Sequence, residues 1–243
     1  IEMDITTATL DPIVKECDVV IHLSAITDAA SSFGNATAVE FNNLESTKHV
    51  AAACAKAGVR LIALSSTSVY GTQSDLVSED CSDDDLRPQS PYAETKLKEE
   101  RYISDLVEAK ELNAVLCRFG TIFGVSPGMR FHTAVNKFCW QAVMGQPITV
   151  WESAYDQKRP YLDLNDAVRA ISHIIRNDIF DGNTYNILTL NATVRDVVQT
   201  ISEFVPGIEI AFVESEIMNQ LSYEVSCERF KDLGFVFSGN LYQ

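Results

Sequence analysis

The sequence predicts an α/β fold in which helices cover both faces of a doubly wound parallel sheet. Strand-length apolar runs alternate with longer helical stretches through the first half of the 243-residue chain. This order is typical of parallel sheets, whose strands are joined by helices. The second half is less regular, with glycine and proline at Pro127-Gly128, Gly145-Gln146-Pro147 and Arg159-Pro160. It predicts a smaller lobe over the carboxyl ends of the strands, where open α/β sheets bind ligands.

The individual elements follow from local patterns along the chain. Apolar or β-branched runs predict strands at 19–23, 60–65, 114–119, 148–151, 185–188 and 208–213. Helical stretches are predicted at 13–17, 37–57, 92–110, 133–144, 165–176, 193–204 and 226–233. Asp11-Pro12 is interpreted as the N-cap and first position of the first helix, and Thr193 and Asp196 have the spacing of a capping box.

Composition excludes several classes of partner. The net charge of -15 argues against nucleic acid or an acidic membrane as a partner. No apolar run is long enough to cross a membrane, and no signal peptide is visible. The six cysteines are scattered without a C-x-x-C pair, so we expect no metal site and a reducing compartment, the cytoplasm.

Tyr92 and Lys96 form the most informative pair in the chain. Ser90 can cap a helix that begins at Pro91, and residues four apart then share one helix face. A free phenol titrates near pH 10, according to model compounds. A neighbouring ammonium favours the phenolate, so the pair predicts a tyrosine that serves as a base near neutral pH.

Hydroxyl side chains complete this candidate proton-transfer site. The strand at 60–65 runs into Ser65-Ser66-Thr67-Ser68, and these residues could also form an ordinary turn at a strand end. A tyrosine and lysine at helical spacing are commonly surface residues, so each motif alone is weak. Their order within a parallel-sheet pattern is far more specific.

Further motifs lie on both sides of this site. They are Asp4-Ile5, His22-Leu23-Ser24-Ala25, Asn43-Leu44-Glu45-Ser46-Thr47, the segment Arg118–Gly124 and the segment Arg159–Ala167. Together with Ser66, Tyr92 and Lys96 they resemble the extended short-chain dehydrogenase/reductase family, and within it the nucleotide-sugar epimerases and dehydratases. The resemblance extends from Asp4 to about Gly234. It implies a Rossmann-like fold, with a partial dinucleotide-binding domain at 1–125. Residues 126–243 would form a substrate-binding lobe interleaved with the last Rossmann elements.

The resemblance also implies roles for individual residues. Ser66, Tyr92 and Lys96 would be catalytic. The residues expected to bind the cofactor, NAD or NADP, are Asp4, Ile5, Leu23, Ser24, Ala25, Thr27, Asn43, Ser65, Tyr92, Lys96 and Phe119. Those expected to bind a nucleotide-diphosphate sugar are Thr67, Thr121, Asn136 and Arg159. In this family the asparagine at position 43 braces a strand end, and the arginine at position 159 pairs with substrate phosphate.

Two departures from the family pattern limit the prediction. The sequence contains no G-x-x-G-x-x-G turn, so the first strand-helix units are expected to be missing and NAD cannot be told from NADP. The family often places Arg-x-x-Asp before its last helix, where this chain has Asn219-Gln220-Leu221-Ser222-Tyr223. The sequence therefore does not identify the nucleotide or the sugar of the substrate.

The activity favoured by the resemblance is epimerisation through a transient 4-keto sugar. Dehydratases of the family usually carry Asp-Glu directly after the catalytic hydroxyl, and decarboxylases carry Glu before the valine. Here the positions are Thr67 and Ser68. A 4-keto reductase, a 4,6-dehydratase and a non-catalytic cofactor-binding fragment remain alternatives. A homodimer through helices 37–57 and 92–110 is implied by the resemblance.

Several other side chains have simpler structural interpretations. His22 lies in an apolar strand and is expected to be a satisfied core histidine. Arg118 ends a strand, where its guanidinium can bond to carbonyl oxygens. Arg159 either binds phosphate or pairs with Asp163 or Asp166.

Overall fold

A computed structural model describes residues 2–29, 31–73, 76–214 and 222–242. Its helices and strands follow in this order: α1 Asp11–Val14, β1 Val19–His22, α2 Ala36–Ala57, β2 Arg60–Ser66, β3 Leu76–Val77, α3 Pro91–Glu108, β4 Ala114–Phe119, β5 Thr121–Phe123, α4 Ala134–Val143, β6 Ile148–Trp151, β7 Lys158–Asp163, α5 Leu164–Arg176, β8 Thr184–Ile187, β9 Leu190–Thr193, α6 Val194–Phe204, β10 Ile210–Val213, β11 Glu224–Val225 and α7 Glu228–Lys231. Within these ranges no helix is long and apolar enough to span a bilayer.

The chain forms two compact units, each assembled from separate stretches. Unit 1 contains Ile1–Val69, Pro88–Arg118 and Ile171–Tyr185, and unit 2 contains Tyr70–Arg87, Phe119–Ala170 and Asn186–Gln243. The division at residue 125 into a cofactor domain and a substrate lobe stays a prediction.

Unit 1 is built around the sheet of strand order β1–β2–β4–β8, in which β1 and β2 pair in parallel. The predicted parallel α/β arrangement is confirmed. A core lies between α1, α2, α3 and the sheet, and contains Val50, Cys54, Leu61, Ile103 and Leu116 among its buried residues. α2 packs against α3, and Gly58 ends α2 in the left-handed conformation with φ +67. These contacts place the first turns of α3 near the end of β2.

In its described residues, unit 2 contains three small sheets with their own core. The strand orders are β5–β7–β9, β10–β6 and β11–β3. The core that joins α4 and α6 to β6 and β7 includes Phe138, Ile148, Val150, Tyr161 and Val198. α6 begins with the predicted capping box, because Thr193 Oγ1 accepts from Asp196 N and the Asp196 carboxylate accepts from Thr193 N.

The predicted elements are present, with boundaries that differ by no more than three residues. The first helix is the clearest correction: it begins at Asp11, and Leu10 rather than Asp11 is its N-cap. The Leu10 carbonyl accepts from Ile13 N and Val14 N, and Leu10 is buried, so the helix begins one residue earlier than expected. The strands β3, β5, β7, β9 and β11 were not predicted. They pair residues far apart in sequence, such as Thr121 with Tyr161, without a local turn signal.

The turn at Gly71 gives a test of the backbone geometry in unit 2. Gly71 has φ +64, and an added Cβ would lie 1.9 Å from the Arg87 carbonyl oxygen. We expect Gly71→Ala to lower the free energy of unfolding by about 3 kcal/mol or more, because backbone strain and a backbone clash combine. Urea denaturation measures this loss.

Gly145→Ala is the matched control, since Gly145 has φ +67 and open space around the Cβ position. Its expected cost is about 1–2 kcal/mol, the penalty of the left-handed conformation alone. Equal losses in the two variants would show that Gly71 is not in close contact with Arg87.

Candidate active site

The start of α3 brings Tyr92 to the end of β2. Ser90 Oγ accepts a hydrogen bond from Ala93 N at 3.2 Å, and Pro91 occupies the first turn, as predicted. The backbone N of Tyr92 also donates to the buried Ser32 Oγ at 3.4 Å. The Tyr92 hydroxyl and the Ser66 side chain form a hydrogen bond. The structure therefore brings together the phenol and the hydroxyl that the sequence singled out.

Lys96 lies beside the Tyr92 ring, as the four-residue spacing predicted. Its Nζ is 6.0 Å from the ring centroid of Tyr92. The buried ammonium donates to the Leu64 carbonyl at 3.0 Å and to Glu99 Oε2 at 2.9 Å. Lys96 thus connects α3 to the end of the strand β2 and lies next to the phenol of Tyr92.

The pKa of Tyr92 shifts in the direction opposite to the expected one. Burial raises the pKa of Tyr92 above its usual value of 10.0, and Glu99 adds to this effect. Lys96 and the hydrogen bond with Ser66 lower the pKa, but they do not outweigh the burial. The prediction of an acidified phenol is wrong for this structure, because sequence spacing reveals the lysine but not the desolvation or the second carboxylate.

A buried hydrogen-bonded chain continues from Lys96 to β1. Glu99 Oε2 also accepts from Thr47 Oγ1 at 2.9 Å, and Thr47 Oγ1 lies 3.0 Å from His22 Nε2. Burial raises the pKa of Glu99, and the bonds from Lys96 and Thr47 oppose that rise. The sequence analysis did not identify Glu99 as a site residue. Its position one helical turn after Lys96 on α3 could have indicated it.

His22 is the core histidine that the sequence predicted. Its side chain is buried, and desolvation lowers its pKa from 6.5 to about 4, with a further contribution from the Lys96 charge. His22 is therefore neutral at physiological pH. It serves as a hydrogen-bonding partner of Thr47 rather than as a charged group.

Arg118 binds a carboxylate that the sequence did not predict. Its Nε donates to Glu100 Oε1 at 2.9 Å, and its Nη2 donates to Glu100 Oε2 at 2.7 Å. Both side chains are buried, and the two hydrogen bonds form a bidentate ion pair that attaches α3 to β4. Glu100 lies on the same helix stripe as Ala93, Lys96 and Ile103, and that stripe was the missed signal.

The expected cofactor residues near β1 are accessible. Leu23 is 62% exposed and Ser24 is also exposed directly after the strand, whereas Ala25 and Thr27 are half-buried. Exposed side chains at the carboxyl end of a parallel strand are suited to ligand binding. Asn43 braces this segment, since its side chain accepts from Ile26 N at 2.7 Å and donates to Ile26 O at 3.0 Å.

The remaining candidates of unit 1 lie at its start and at the end of β2. Asp4 is exposed and accepts from the backbone N and the hydroxyl of Thr6, which lower the pKa of its carboxyl. The carbonyl oxygen of the half-buried Ile5 lies 3.1 Å from His49 Nδ1. Ser65 and Thr67 are buried on either side of Ser66, and Ser65 Oγ has no hydrogen-bond partner within the described residues.

The other four predicted residues belong to unit 2. Phe119 is buried as the last residue of β4, and Thr121 begins β5 as a half-buried residue. Asn136 Nδ2 donates to Arg130 O at 3.1 Å, and its Oδ1 accepts from Gly124 N at 3.2 Å. Asn136 therefore fixes the loop that precedes α4.

Arg159 is a half-buried residue of β7. Its Nη2 donates to Gln157 Oε1 at 3.2 Å, and desolvation lowers the pKa of its guanidinium. Asp166 forms its ion pair with Arg169 at 2.7 Å and is fully buried. Asp163 Oδ1 accepts from Asn165 N and Asp166 N. Of the segment Asn219–Tyr223, the residues Asn219, Gln220 and Leu221 lie outside the described residues.

Comparisons with known proteins agree with this geometry. The family model described as "NAD dependent epimerase/dehydratase family" matches residues 1–187. The chain is 30% identical over 191 residues to the "Uncharacterized UDP-glucose epimerase YtcB" of Bacillus subtilis (strain 168), and the match covers 77% of this chain and 58% of that protein.

A longer match reaches a protein of several activities. The chain is 27% identical over 230 residues to the Arabidopsis thaliana "Trifunctional UDP-glucose 4,6-dehydratase/UDP-4-keto-6-deoxy-D-glucose 3,5-epimerase/UDP-4-keto-L-rhamnose-reductase RHM3", covering 92% of this chain and 34% of that protein. The chain thus spans only part of the length of these relatives.

Among solved structures, "MoeE5 in complex with UDP-glucose and NAD" has a TM-score of 0.88 and 27% identity, with 100% of this chain and 81% of that chain covered. This likeness over the whole chain confirms the predicted Rossmann-like fold.

The buried His22 gives a prediction on pH dependence. The pKa of His22 falls from 6.5 to about 4 on folding, so the unfolded chain binds more protons between these values. The stabilisation is complete above pH 6.5 and is lost as the pH falls towards 4, by about 3 kcal/mol. We expect His22→Gln to remove this part of the acid destabilisation, as measured by urea denaturation at several pH values.

His132→Gln, which replaces an exposed histidine, serves as the control and should retain the wild-type pH dependence. A His22→Gln variant whose stability falls with acid as steeply as the wild type would contradict a neutral, buried His22.

Proposed function

The chain belongs to the NAD-dependent epimerase/dehydratase family, and we propose on that basis that it is part of an epimerase that acts on a nucleotide-diphosphate sugar. The observation that carries the proposal is the hydrogen bond between Tyr92 and Ser66 beside the Lys96 ammonium. The B. subtilis relative is named as a UDP-glucose epimerase, and MoeE5 was crystallised with UDP-glucose and NAD. These names support a UDP-sugar as the first substrate to test.

The residues of unit 1 fit a dinucleotide cofactor. Lys96 Nζ carries three N–H donors, and two of them have acceptors among the described residues. A ribose and a nicotinamide ring would contact the third N–H, the exposed Leu23-Ser24 edge and the buried Ser65 Oγ, which has no hydrogen-bond partner among the described residues. NAD, when bound there, would accept a hydride from the sugar carbon and return it.

Side chains of the protein would carry out the proton transfer. Tyr92 would take the proton from a sugar hydroxyl, at C4 by the resemblance, and Ser66 would hydrogen-bond the same oxygen. Fixed donors around an oxygen that gains charge in the transition state lower the barrier. The pKa of Tyr92 lies above its usual value in this structure, so binding of substrate and cofactor must first lower it before the phenol can act as the base. The proton that Tyr92 then takes from the sugar hydroxyl is the one that it returns to the keto oxygen in the second half of the reaction.

The residues after the catalytic hydroxyl favour epimerisation over dehydration. Thr67 is buried, and Ser68 donates to Ser66 Oγ at 2.9 Å. Because these residues are a threonine and a serine, neither position supplies a carboxylate. Loss of water from the sugar needs additional acid and base groups. Dehydratase activity remains the second candidate, because the Arabidopsis relative of 27% identity is named as one.

The substrate diphosphate would bind in unit 2. The guanidinium of Arg159 offers a planar fork for phosphate oxygens, and its half-buried position increases the strength of such a contact. Thr121 and Asn136 are the other residues proposed for substrate binding. A test of the whole group is the KM of Arg159→Gln, which should rise while Tyr92-dependent chemistry is kept.

We also propose a cytoplasmic homodimer through α2 and α3. A groove along α2 contains Ala36, Thr37, Glu40, Phe41, Leu44 and Lys48, and Phe41 is 61% exposed. An exposed aromatic side chain in an open groove is suited to burial by a second copy. Light scattering should give twice the chain mass, and a mass of one chain would contradict the dimer.

Tyr92→Phe tests the proposed catalytic role. The variant keeps the ring in its place but removes the proton carrier, so we expect turnover of UDP-glucose to fall by at least about 100-fold. Tyr102→Phe removes a hydroxyl from the same helix at a half-buried position and should leave turnover unchanged. Chromatography with mass detection measures the product.

The product also separates the candidate activities. An epimer has the mass of the substrate, a dehydration product lacks one water, and a reductase requires a keto sugar and consumes NADH. Wild-type turnover that survives in Tyr92→Phe would overturn the catalytic assignment.

A further inference from the structure

Glu99 is a buried carboxylate next to the proposed catalytic lysine. It is 4% exposed, and its Oε2 accepts from Lys96 Nζ and from Thr47 Oγ1, both at 2.9 Å. Its Oε1 is buried and has no hydrogen-bond partner in the part of the chain that the structure describes. Burial of a half-satisfied carboxylate is costly, so packing alone does not explain its presence.

The number of protons available determines the direction of each hydrogen bond around this carboxylate. Thr47 has a single hydroxyl proton, which it donates to Glu99 Oε2. The Thr47 oxygen must then accept from His22, so His22 carries its proton on Nε2. A neutral histidine on β1 and a hydroxyl on α2 together orient the carboxylate towards Lys96.

The Lys96 ammonium consequently acts between two groups. On one side it lies 6.0 Å from the Tyr92 ring centroid, and on the other it contacts Glu99 at 2.9 Å. The negative charge of Glu99 offsets part of the ammonium field that would otherwise favour the phenolate. Burial keeps this offset strong, because both side chains of the ion pair are only 5% exposed.

The other charged groups near Glu99 are already balanced. Glu100 is the next residue of the same helix, but it forms its own pair with Arg118 of β4 at 2.7 Å. On α2, Lys48 pairs with Glu45 at 2.8 Å. Among the described residues, the titratable groups that remain around the Glu99 carboxylate are Lys96, the Tyr92 phenol and the neutral His22.

We propose that Glu99 is a positioning residue that holds the Lys96 ammonium at the Leu64 carbonyl and limits how strongly this ammonium acts on Tyr92. The inference deepens the proposed function and rests on it for its catalytic meaning. Glu99 does not touch the reacting atoms; it acts through Lys96. In the reaction it would keep Tyr92 protonated until substrate and cofactor contacts change the balance.

Removal of the Glu99 charge should make Tyr92 more acidic. In Glu99→Gln the amide retains the shape and can still accept from Thr47, while the full ammonium field acts on the phenol. We expect the pKa of Tyr92 to fall by about one unit, the order of effect of one nearby buried charge. If the chain turns over, the acidic limb of kcat/KM should move to lower pH in the same variant.

Carbon NMR of protein labelled with ¹³C at tyrosine Cζ measures this ionisation without any turnover. The Tyr92 signal is identified by its loss in Tyr92→Phe, and the titration extends from about pH 7 to about pH 11, around the reference pKa of tyrosine. Glu94→Gln is the matched control, since it removes one carboxylate from an exposed position on the same helix. It should leave the Tyr92 titration unchanged. Circular dichroism confirms that each variant stays folded.

An unchanged or higher pKa of Tyr92 in folded Glu99→Gln would overturn the inference. If Glu99→Gln does not fold, Glu99→Asp provides the same test. Its shorter side chain withdraws the carboxylate from Lys96, so a smaller fall of the Tyr92 pKa is expected and no fall would overturn the inference. An inactive wild-type protein with the predicted NMR shifts would refute the proposed function alone.

Discussion

The contact of Lys96 with the Leu64 carbonyl and the Glu99 carboxylate holds the candidate site together. Through it the first turns of α3 are attached to the last residues of β2, where Tyr92 meets Ser66. Because the ammonium is buried, its position is set by these two acceptors rather than by water. The same contact determines how much positive charge the phenol experiences.

A second buried ion pair follows in the next residue of the helix. Glu100 binds Arg118 of β4, so this pair attaches α3 to β4, while the Lys96 contact with the Leu64 carbonyl attaches it to β2. Buried ion pairs are weak contributors to net stability, because desolvation offsets most of their attraction. Loss of one partner is costly, however, and leaves a charge without compensation. We infer that the Glu100–Arg118 pair helps to specify the register of α3 on its sheet.

The features that the sequence predicted correctly depend on local chemistry. The start of α3 follows from Ser90 and Pro91 within one helical turn, and the strand β2 follows from its own apolar run. The features it missed depend on distant partners. Glu99 and Thr47, for example, are 52 positions apart. The expected lowering of the Tyr92 pKa was wrong because the spacing of residues in the sequence does not show how deeply a side chain is buried. The short strands of unit 2 were missed for the same reason, since β5 and β7 pair residues 40 positions apart at Thr121 and Tyr161.

A crystal structure of the protein that contains this chain, with UDP-glucose and NAD bound, would show whether one sugar oxygen meets both hydroxyls. We expect the Tyr92 and Ser66 hydroxyl oxygens each to lie within about 3.2 Å of the same sugar oxygen, the range of a good hydrogen bond. Lys96 should still contact the Leu64 carbonyl. A sugar bound away from Tyr92, or a Lys96 side chain that has left Leu64, would contradict the proton-transfer site described here.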